Sequence, residues 1–336
     1  MHYLETMMQL SKQQLRKMIE GSTVLGTGGG GRLDSAMSVL KELPTIELIS
    51  ADDLSDDDIV ITAFGAGGLT KPKNTTEVLN KGLELLQKQL PKSIKAIVPV
   101  EIGPYSLAAT FEIAAKLGVP VVDGDLVGYR SVPEIFIELV TLAGLSRCPL
   151  VFGNNAGDLT LLNNTDSPEH LEQIVRSFAD ESESNTFVLG YPYTKKQLLQ
   201  CLAQNSVSYC MDIQGVLEND FKLVDEGLVL EDVKEELGGF TKGYLSVKCV
   251  EATYKIEFKN EYLVLLKNGF LQVTCPDFIC VVNAESQLGL NNGDDNNGKR
   301  VKIYVRPAIA QWRTQDGLAL FTPNKLGLDY SQKVIQ

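Results

Sequence analysis

The stretch IKAIVPVEIGPYSLAATFEIAAKLGVPVVDGDLVGYR, Ile94 to Arg130, decides how the N-terminal part of the chain folds. It opens on "IKAIVPV", a short apolar run rich in β-branched residues, which predicts a strand. Pro104 near a first helical turn and Gly118 just past a last one bracket a helix. "VPVVD", Val119–Asp123, reads as a second strand. A strand–helix–strand unit joins parallel neighbours, and strands this apolar need cover on both faces.

The same alternation continues on either side. "LSKQQLRKMIEG" (Leu10–Gly21) predicts a helix with a capping box at Ser11 and Gln14, Leu10 and Leu15 stapled across it, and Gly21 as its stop. "DSAMSVLKEL" (Asp34–Leu43) is a helix halted by Pro44, "TIELIS" and "DIVITAFG" are strands, and "NTTEVLNKGLELLQKQLP" is a helix capped by Asn74. Further on, "VPEIFIELVTLAG" (Val132–Gly144), "SPEHLEQIVRSFADE" capped by Ser167, and "TKKQLLQCLAQN" (Thr194–Asn205) read as helices between the strands "PLVFG" and "TFVLG". Residues 1–212 are therefore expected to form an α/β domain, a mainly parallel sheet with helices on both faces. After about Met211 the period becomes two. "GYLSVKCVEATYKIEFKNEYLVLLKNGFLQVTC" carries Asn268-Gly269, a hairpin signal, and "PDFICVVNA" and "RVKIYVRPA" continue as strands. Residues 213–336 are expected to form a mostly β domain.

Charge and composition narrow the partners. The 31 basic and 43 acidic side chains leave a net charge of −12, which argues against nucleic acid or an anionic membrane and leaves a small molecule as the ligand. No apolar run approaches the roughly 20 residues needed to cross a bilayer, and "MHYLETMMQLSKQQ" is too polar for a signal peptide, so a cytoplasmic location is expected. The six cysteines form no CxxC pair and read as reduced thiols. Histidine occurs only at positions 2 and 170, too few for a His-based zinc site or a Ser/His/Asp triad.

In an open α/β sheet ligands bind beyond the carboxyl ends of the strands. The segments there are "GTGGGG" (Gly26–Gly31), "FGAGG", "PVEIGPY", "VDGDLVGYR", "FGNNAGD" and "GYPYT", each with glycine, which suggests one shared crevice. The first also satisfies GxGxxG through Gly26, Gly28 and Gly31, with Glu47 and Asp52 at the distance of a ribose-binding acid; a nucleotide-dependent enzyme is one reading. Another is that the bare N–H groups of Gly28, Gly29, Gly30 and Gly31 hold a small anion or a polar heterocycle, and a third is a packing turn. Glu101, Asp123 and Asp125 are the candidate catalytic acids. Crowded carboxylates either bind a divalent metal ion or repel until one holds a proton and serves as acid or base. Asp-Gly-Asp is also ordinary turn chemistry. Arg130 either neutralises a substrate or pairs with Asp123 or Asp125. Glu134 either binds substrate or caps a first helical turn, and Asn154 offers amide recognition or a turn.

"LGTGGGG", "VPVEIG" and "GVPVVDGDLVGYRSVPEI" resemble the hallmark blocks of the S-methyl-thiohydantoin desulfurase-like family, and "GGFTKGYLSV", "FKNEYLVL", "CPDFICVV" and "QWRTQDGLALFTPNKLGLDY" are similar to its later blocks in the same order. The resemblance implies an N-terminal α/β domain, a C-terminal β domain and a link to hydantoin and thiohydantoin chemistry. It carries over Gly28 to Gly31, Glu101, Asp123, Asp125, Arg130, Pro133 and Glu134 as block positions without assigning roles. Two departures stand out: Gly128-Tyr129-Arg130-Ser131 replaces the usual Gly-Arg-Ala before the proline, and EIGPY replaces Glu-x-Gly-Gly. The expected activity is that of an enzyme on a small cyclic imide or amide, hydrolytic or desulfurising, with Asp123 or Asp125 as base or metal ligand and Glu101 as partner. The alternatives are a non-catalytic partner subunit of a hydantoinase-type system and the nucleotide-dependent enzyme. A homo-oligomer is a further expectation.

Overall fold

The computed structural model describes residues 8–67, 76–154, 156–165, 167–180, 185–237 and 239–336. The N-terminal strands are β1 (Met8–Leu10), β2 (Ile46–Ile49), β3 (Ile59–Gly67), β4 (Ile94–Ile97), β5 (Val121–Val122), β6 (Gly124–Asp125), β7 (Leu150–Asn154), β8 (Leu159–Leu162), β9 (Asn185–Thr194) and β10 (Ala203–Gln204). Eight of them form one sheet in the order β1-β2-β5-β4-β3-β9-β7-β8, while β6 pairs with β10. Strands β2, β5, β4 and β3 are parallel, as the Ile94–Arg130 unit requires. The outer strands are antiparallel, so around its parallel core the sheet is mixed. The cause is local: β7 turns straight back into β8 without a crossover helix, and β9 enters between β3 and β7, antiparallel to both.

Helices cover both faces. Helices α1 (Lys12–Leu25), α2 (Leu33–Glu42), α3 (Thr76–Gln87) and α4 (Pro104–Leu117) pack Leu15, Leu40, Leu83 and Phe111 against Ile61, Ile97 and Leu189. After the short α5 (Leu139–Leu142), α6 (Pro168–Asp180) packs Leu171 and Val175 against Val60, Phe152 and Val188 on the other side. Ile59, Ile61 and Ala63 of β3 join the first layer, and Val60 and Phe64 the second, which is the two-residue period of a strand buried on both faces. Among the described residues no helix is long and apolar enough to cross a membrane.

Three helix expectations are corrected. The capping box at Ser11 and Gln14 forms, but α1 runs through Gly21 and stops at Gly26. Gly21 serves close approach instead, since a Cβ there would lie 2.0 Å from the Cys210 carbonyl oxygen. Of the helix expected over Val132–Gly144 only α5 forms, because side chains take the backbone groups a helix would use. Val132 N–H donates to Glu101 and Ile135 N–H to Glu172, while Arg147 and Arg176 donate to the carbonyls of Ile135 and Pro133. The helix expected over Thr194–Asn205 is a single turn, Lys195–Leu198, followed by β10. The Asn74 cap lies outside the described residues.

Strands β11 (Lys222–Leu237), β12 (Phe240–Cys249), β13 (Thr253–Lys259), β14 (Glu261–Lys267), β15 (Phe270–Thr274), β16 (Phe278–Asn283) and β17 (Arg300–Arg306) build an antiparallel half-barrel in the order β15-β14-β13-β12-β11-β17-β16. Asn268 and Gly269, at φ 50° and 84°, make the tight hairpin between β14 and β15. The half-barrel is joined by backbone to the segment between α1 and α2. Tyr262 N–H donates to Thr27 O at 2.7 Å, and Asn292 N–H to Gly28 O at 2.8 Å.

Gly21→Ala drives a methyl group into the Cys210 carbonyl. It is expected to cost roughly 1–3 kcal/mol, read as a lower urea midpoint at unchanged slope; an unchanged midpoint would contradict this packing.

Candidate functional site

The glycine run begins where α1 ends and leads into α2, so no strand precedes it. The strand–turn–helix grip of a dinucleotide fold is therefore not formed here, which corrects the nucleotide reading. Two close approaches account for much of the run. A Cβ at Gly29 would stand 1.9 Å from Glu261 Oε1, and one at Gly30 would stand 2.5 Å from Gly103 Cα. Gly30 O accepts from Tyr105 N at 3.0 Å, which ties the run to the start of α4. The run is the seat on which the two domains meet.

Around this seat lies a cleft of about 930 Å³, open to solvent at its mouth. Gly30, Gly31, the end of β3, the segment after β4, residues 132–138 and Asn260–Glu261 all line it. Glu101 enters from the N-terminal domain. Its Oε1 accepts from Ser106 Oγ at 2.6 Å, and its Oε2 from Val132 N at 3.1 Å. Glu261 enters from the C-terminal domain, is 2% exposed, and leaves Oε2 without a partner.

The hydroxyl of Ser131 stands 2.6 Å from Gly26 O and 2.9 Å from Glu261 Oε1. A serine hydroxyl has one hydrogen, and a carbonyl can only accept. When Ser131 donates to Gly26, the proton in the other contact must come from the Glu261 carboxyl. The electrostatics agree, since burial, reinforced by the charge of Glu101, pushes Glu261 up to about 8. Burial likewise pushes Glu101 up to about 7, against the opposing hydrogen bonds from Ser106 and Val132. Burial thus holds both carboxyls above the ordinary carboxylate range, Glu261 further than Glu101.

The other carboxylates of the cleft wall are matched to cations. Glu134 pairs with Lys259, and Glu138 accepts from Arg147 at 2.7 Å and from the Tyr191 hydroxyl at 3.0 Å. Behind them Glu172 holds Arg176 at 2.7 Å. Phe240 lies 4.2 Å from the Arg176 guanidinium and 4.1 Å from the Lys259 ammonium. Among the described residues neither Glu101 nor Glu261 has a salt-bridge partner.

Several expected site residues lie elsewhere. Asp123 accepts from Val207 N and Ser208 N at 3.1 and 2.9 Å, capping a short turn of helix. Asp125 is fully buried and accepts from the N–H groups of Val127, Gly128 and Tyr129, so it braces its own loop. Neither lines the cleft, so the three acids do not share it, although the charge of Asp125 lies close enough to push Glu101 up. Among the described residues no three His, Cys, Asp or Glu side chains gather as a metal site. Arg130 pairs with neither aspartate. It is buried under the half-barrel, donating to Pro276 O at 2.6 Å and lying 5.0 and 4.8 Å from the rings of Phe278 and Phe321. Asn154 accepts from Ala156 N and Asp158 N, both at 3.0 Å, and shapes the β7–β8 turn. Glu134 lines the cleft, but on irregular backbone rather than in a first helical turn. Gly28 offers its carbonyl to Asn292, and Gly29 backs Glu261.

Tyr129, in the longer block, turns away from the cleft at φ 64° and stacks edge-on against Tyr209. Tyr105, from the EIGPY departure, lines the cleft. Glu261, Glu138, Ser106, Ser131 and Arg176 were not found from the sequence. For Glu261 the signal was "KNE" interrupting two apolar strands, a pattern that normally marks a solvated hairpin tip.

The profile of the S-Me-THD-like N-terminal domain matches residues 13–164, and that of the S-Me-THD-like C-terminal domain matches residues 212–335. No curated protein matches the chain. The crystal structure of a protein from Chromobacterium violaceum superposes with a TM-score of 0.84 at 18% identity, covering 98% of this chain and 99% of that one, and shares its fold. With both of its domains matched in order, the chain belongs to the S-Me-THD-like family.

Proposed function

We propose that the chain is an enzyme acting on a small cyclic imide or amide of the hydantoin or thiohydantoin type, with Glu101 as general base and Glu261 as general acid. One observation carries this reading: two buried carboxyl groups without cationic partners share a cleft, and burial pushes both up, Glu101 to about 7 and Glu261 to about 8. A ring of this class displays N–H donors and carbonyl or thiocarbonyl acceptors. An ionised Glu101 accepts from the first, and a protonated Glu261 donates to the second.

For an S-methyl thiohydantoin, Glu101 takes a proton from water as its oxygen bonds to the ring carbon bearing sulfur. The protonated Glu261 donates to the departing sulfur as the C–S bond breaks. The products are the ring carbonyl and the thiol. Of the two hydrogens of water, one ends on the thiol and the other on the ring nitrogen. Proton exchange between the two carboxyls restores the starting state. Burial serves both steps, because it keeps the acid protonated at a pH where an exposed carboxyl would be ionised, and makes the base stronger.

A second reading is favoured by the exposed apolar side chains along β11, Leu223, Leu228, Leu230, Val233 and Leu237. A monomeric surface rarely carries so many in one element. The enzyme would then also assemble, with a second copy or with a hydantoinase-type subunit.

Thiol release from S-methyl-2-thiohydantoin tests the assignment. Glu101→Gln and Glu261→Gln are each expected to lower kcat about 10²–10⁴-fold, while Asp123→Asn stays within a few-fold of the parent. Equal losses in all three would overturn it. The profile of kcat/KM against pH should rise near 7 and fall near 8, following the two carboxyls.

Stability should follow the same groups. A carboxyl whose pKa is raised by folding binds its proton more tightly in the folded state. Its contribution is complete below the ordinary value of 4.5 and is lost as pH rises toward 7 for Glu101 and 8 for Glu261. The melting temperature is therefore expected to decline between about pH 5 and about pH 8.5. Glu261→Gln should reduce that decline by about 3 °C or more, and a decline of the same size in both proteins would refute the buried proton.

A further inference from the structure

The run NNGDDNNG, Asn291–Gly298, has the composition of a solvated loop, yet Asn292 and Asn296 within it are fully buried. Lys234 of β11 reaches into the loop. Its ammonium donates to Asn292 O at 3.1 Å and to Asp294 O, and pairs with Asp232 at 2.9 Å. Asn296 Nδ2 ties the loop to itself, donating to Asn291 O at 3.0 Å and Asp294 O at 3.2 Å.

So braced, the loop grips the glycine run. Asn291 Nδ2 donates to Gly31 O at 3.0 Å, Asn292 N to Gly28 O at 2.8 Å, and Arg32 pairs with Asp294 at 2.8 Å. Asn292 also reaches the other side of the seat: its Nδ2 donates to Asn260 O at 2.6 Å, one residue before Glu261. A Cβ at Gly28 would stand 2.3 Å from that nitrogen, so the glycine makes room for the amide. One buried side chain thus spans the two segments between which the Glu261 carboxyl is held.

Both segments carry backbone that needs holding. Thr27 sits at φ 48°, unusual for a β-branched residue, and Asn260 at φ 58°. Such conformations persist where the surroundings over-determine them. Asn260 exchanges bonds with Thr241, N–H to O at 2.7 Å and Oδ1 from N–H at 2.8 Å, and Asn292 supplies the donor for its carbonyl.

We infer that Asn292, which is not among the residues lining the cleft, is a positioning residue for Glu261: by tying Asn260 to Gly28 it sets where that carboxyl stands relative to Glu101. This rests on the catalytic reading above and adds the residue that holds the proposed acid in place. The groups acting on Glu261 itself are the charges of Glu101 and Arg130 and the hydrogen bonds of Ser131 and Gly30. Among the described residues none of these bonds to the Asn292 side chain, so a change there reaches the carboxyl through the turn.

Thiol release from S-methyl-2-thiohydantoin, followed against pH in the parent and in three variants, tests this. Asn292→Ala and Asn292→Leu both remove the amide donor, the second at nearly unchanged volume. Each should lower kcat about 10–100-fold with KM within a few-fold. The fall of kcat/KM near pH 8 should move to lower pH as water reaches the carboxyl. Asn296→Ala breaks bonds inside the loop only, and should lower the melting temperature while kcat stays within a few-fold of the parent.

A second readout needs no turnover. The decline of melting temperature between about pH 5 and about pH 8.5 should be shallower in the Asn292 variants than in the parent, and as steep as the parent's in Asn296→Ala. If one Asn292 variant misfolds, the other carries the comparison. An active parent whose folded Asn292 variants keep both kcat and the pH profile overturns the positioning role alone. So does an equal loss of kcat in Asn296→Ala. No thiol release by the parent overturns the catalytic reading, and this role with it.

Discussion

The buried carboxyl of Glu261 is the constraint around which the site is arranged. It belongs to the β13–β14 turn of the half-barrel, yet it rests against Gly29 and meets Ser131 of the N-terminal domain. An ionised carboxylate in such a place would cost several kcal/mol if left unpaired. Burial raises its pKa instead, to about 8, against the opposing hydrogen bond from the Ser131 hydroxyl, which is shared with the Gly26 carbonyl. Gly29 and Gly30 carry no side chains because this carboxyl and the Gly103 backbone occupy the space they would need.

Burial raises several acids around the cleft, Glu138 to about 7 and Glu172 as well, each against the pull of an arginine. Glu134, Glu138 and Glu172 have Lys259, Arg147 and Arg176 beside them, and their charges are compensated. Glu101 and Glu261 have hydroxyl and amide partners instead, which stabilise an anion less than a cation does. Each feels its own burial first, reinforced by the charge of Asp125 at Glu101 and by that of Glu101 at Glu261.

Much of the framework was legible. The Ile94–Arg130 unit predicts a parallel core, the Asn268-Gly269 hairpin forms, and the capping box at Ser11 and Gln14 starts α1. These features depend on neighbours a few residues apart. The irregular backbone of 132–138 was not legible, because its helical pattern is overridden by side chains arriving from positions 101, 147, 172 and 176. The site was partly legible. Glu101, Gly30, Gly31 and Glu134 line the cleft, whereas Asp123 and Asp125 cap local backbone, a role that Asp-Gly-Asp fits equally well.

From the sequence alone follow the alternation of strand and helix, the change to period two near residue 212, the excess of acids, and the set of blocks that carries the family resemblance. These are properties of composition and short-range spacing. Which acids face one another was decided by tertiary structure, because Glu101 and Glu261 are 160 residues apart and meet only where the half-barrel docks on the glycine run. Protonation was decided there as well. It depends on how much water each carboxyl retains and which charges surround it, and a linear sequence specifies neither until the chain has folded.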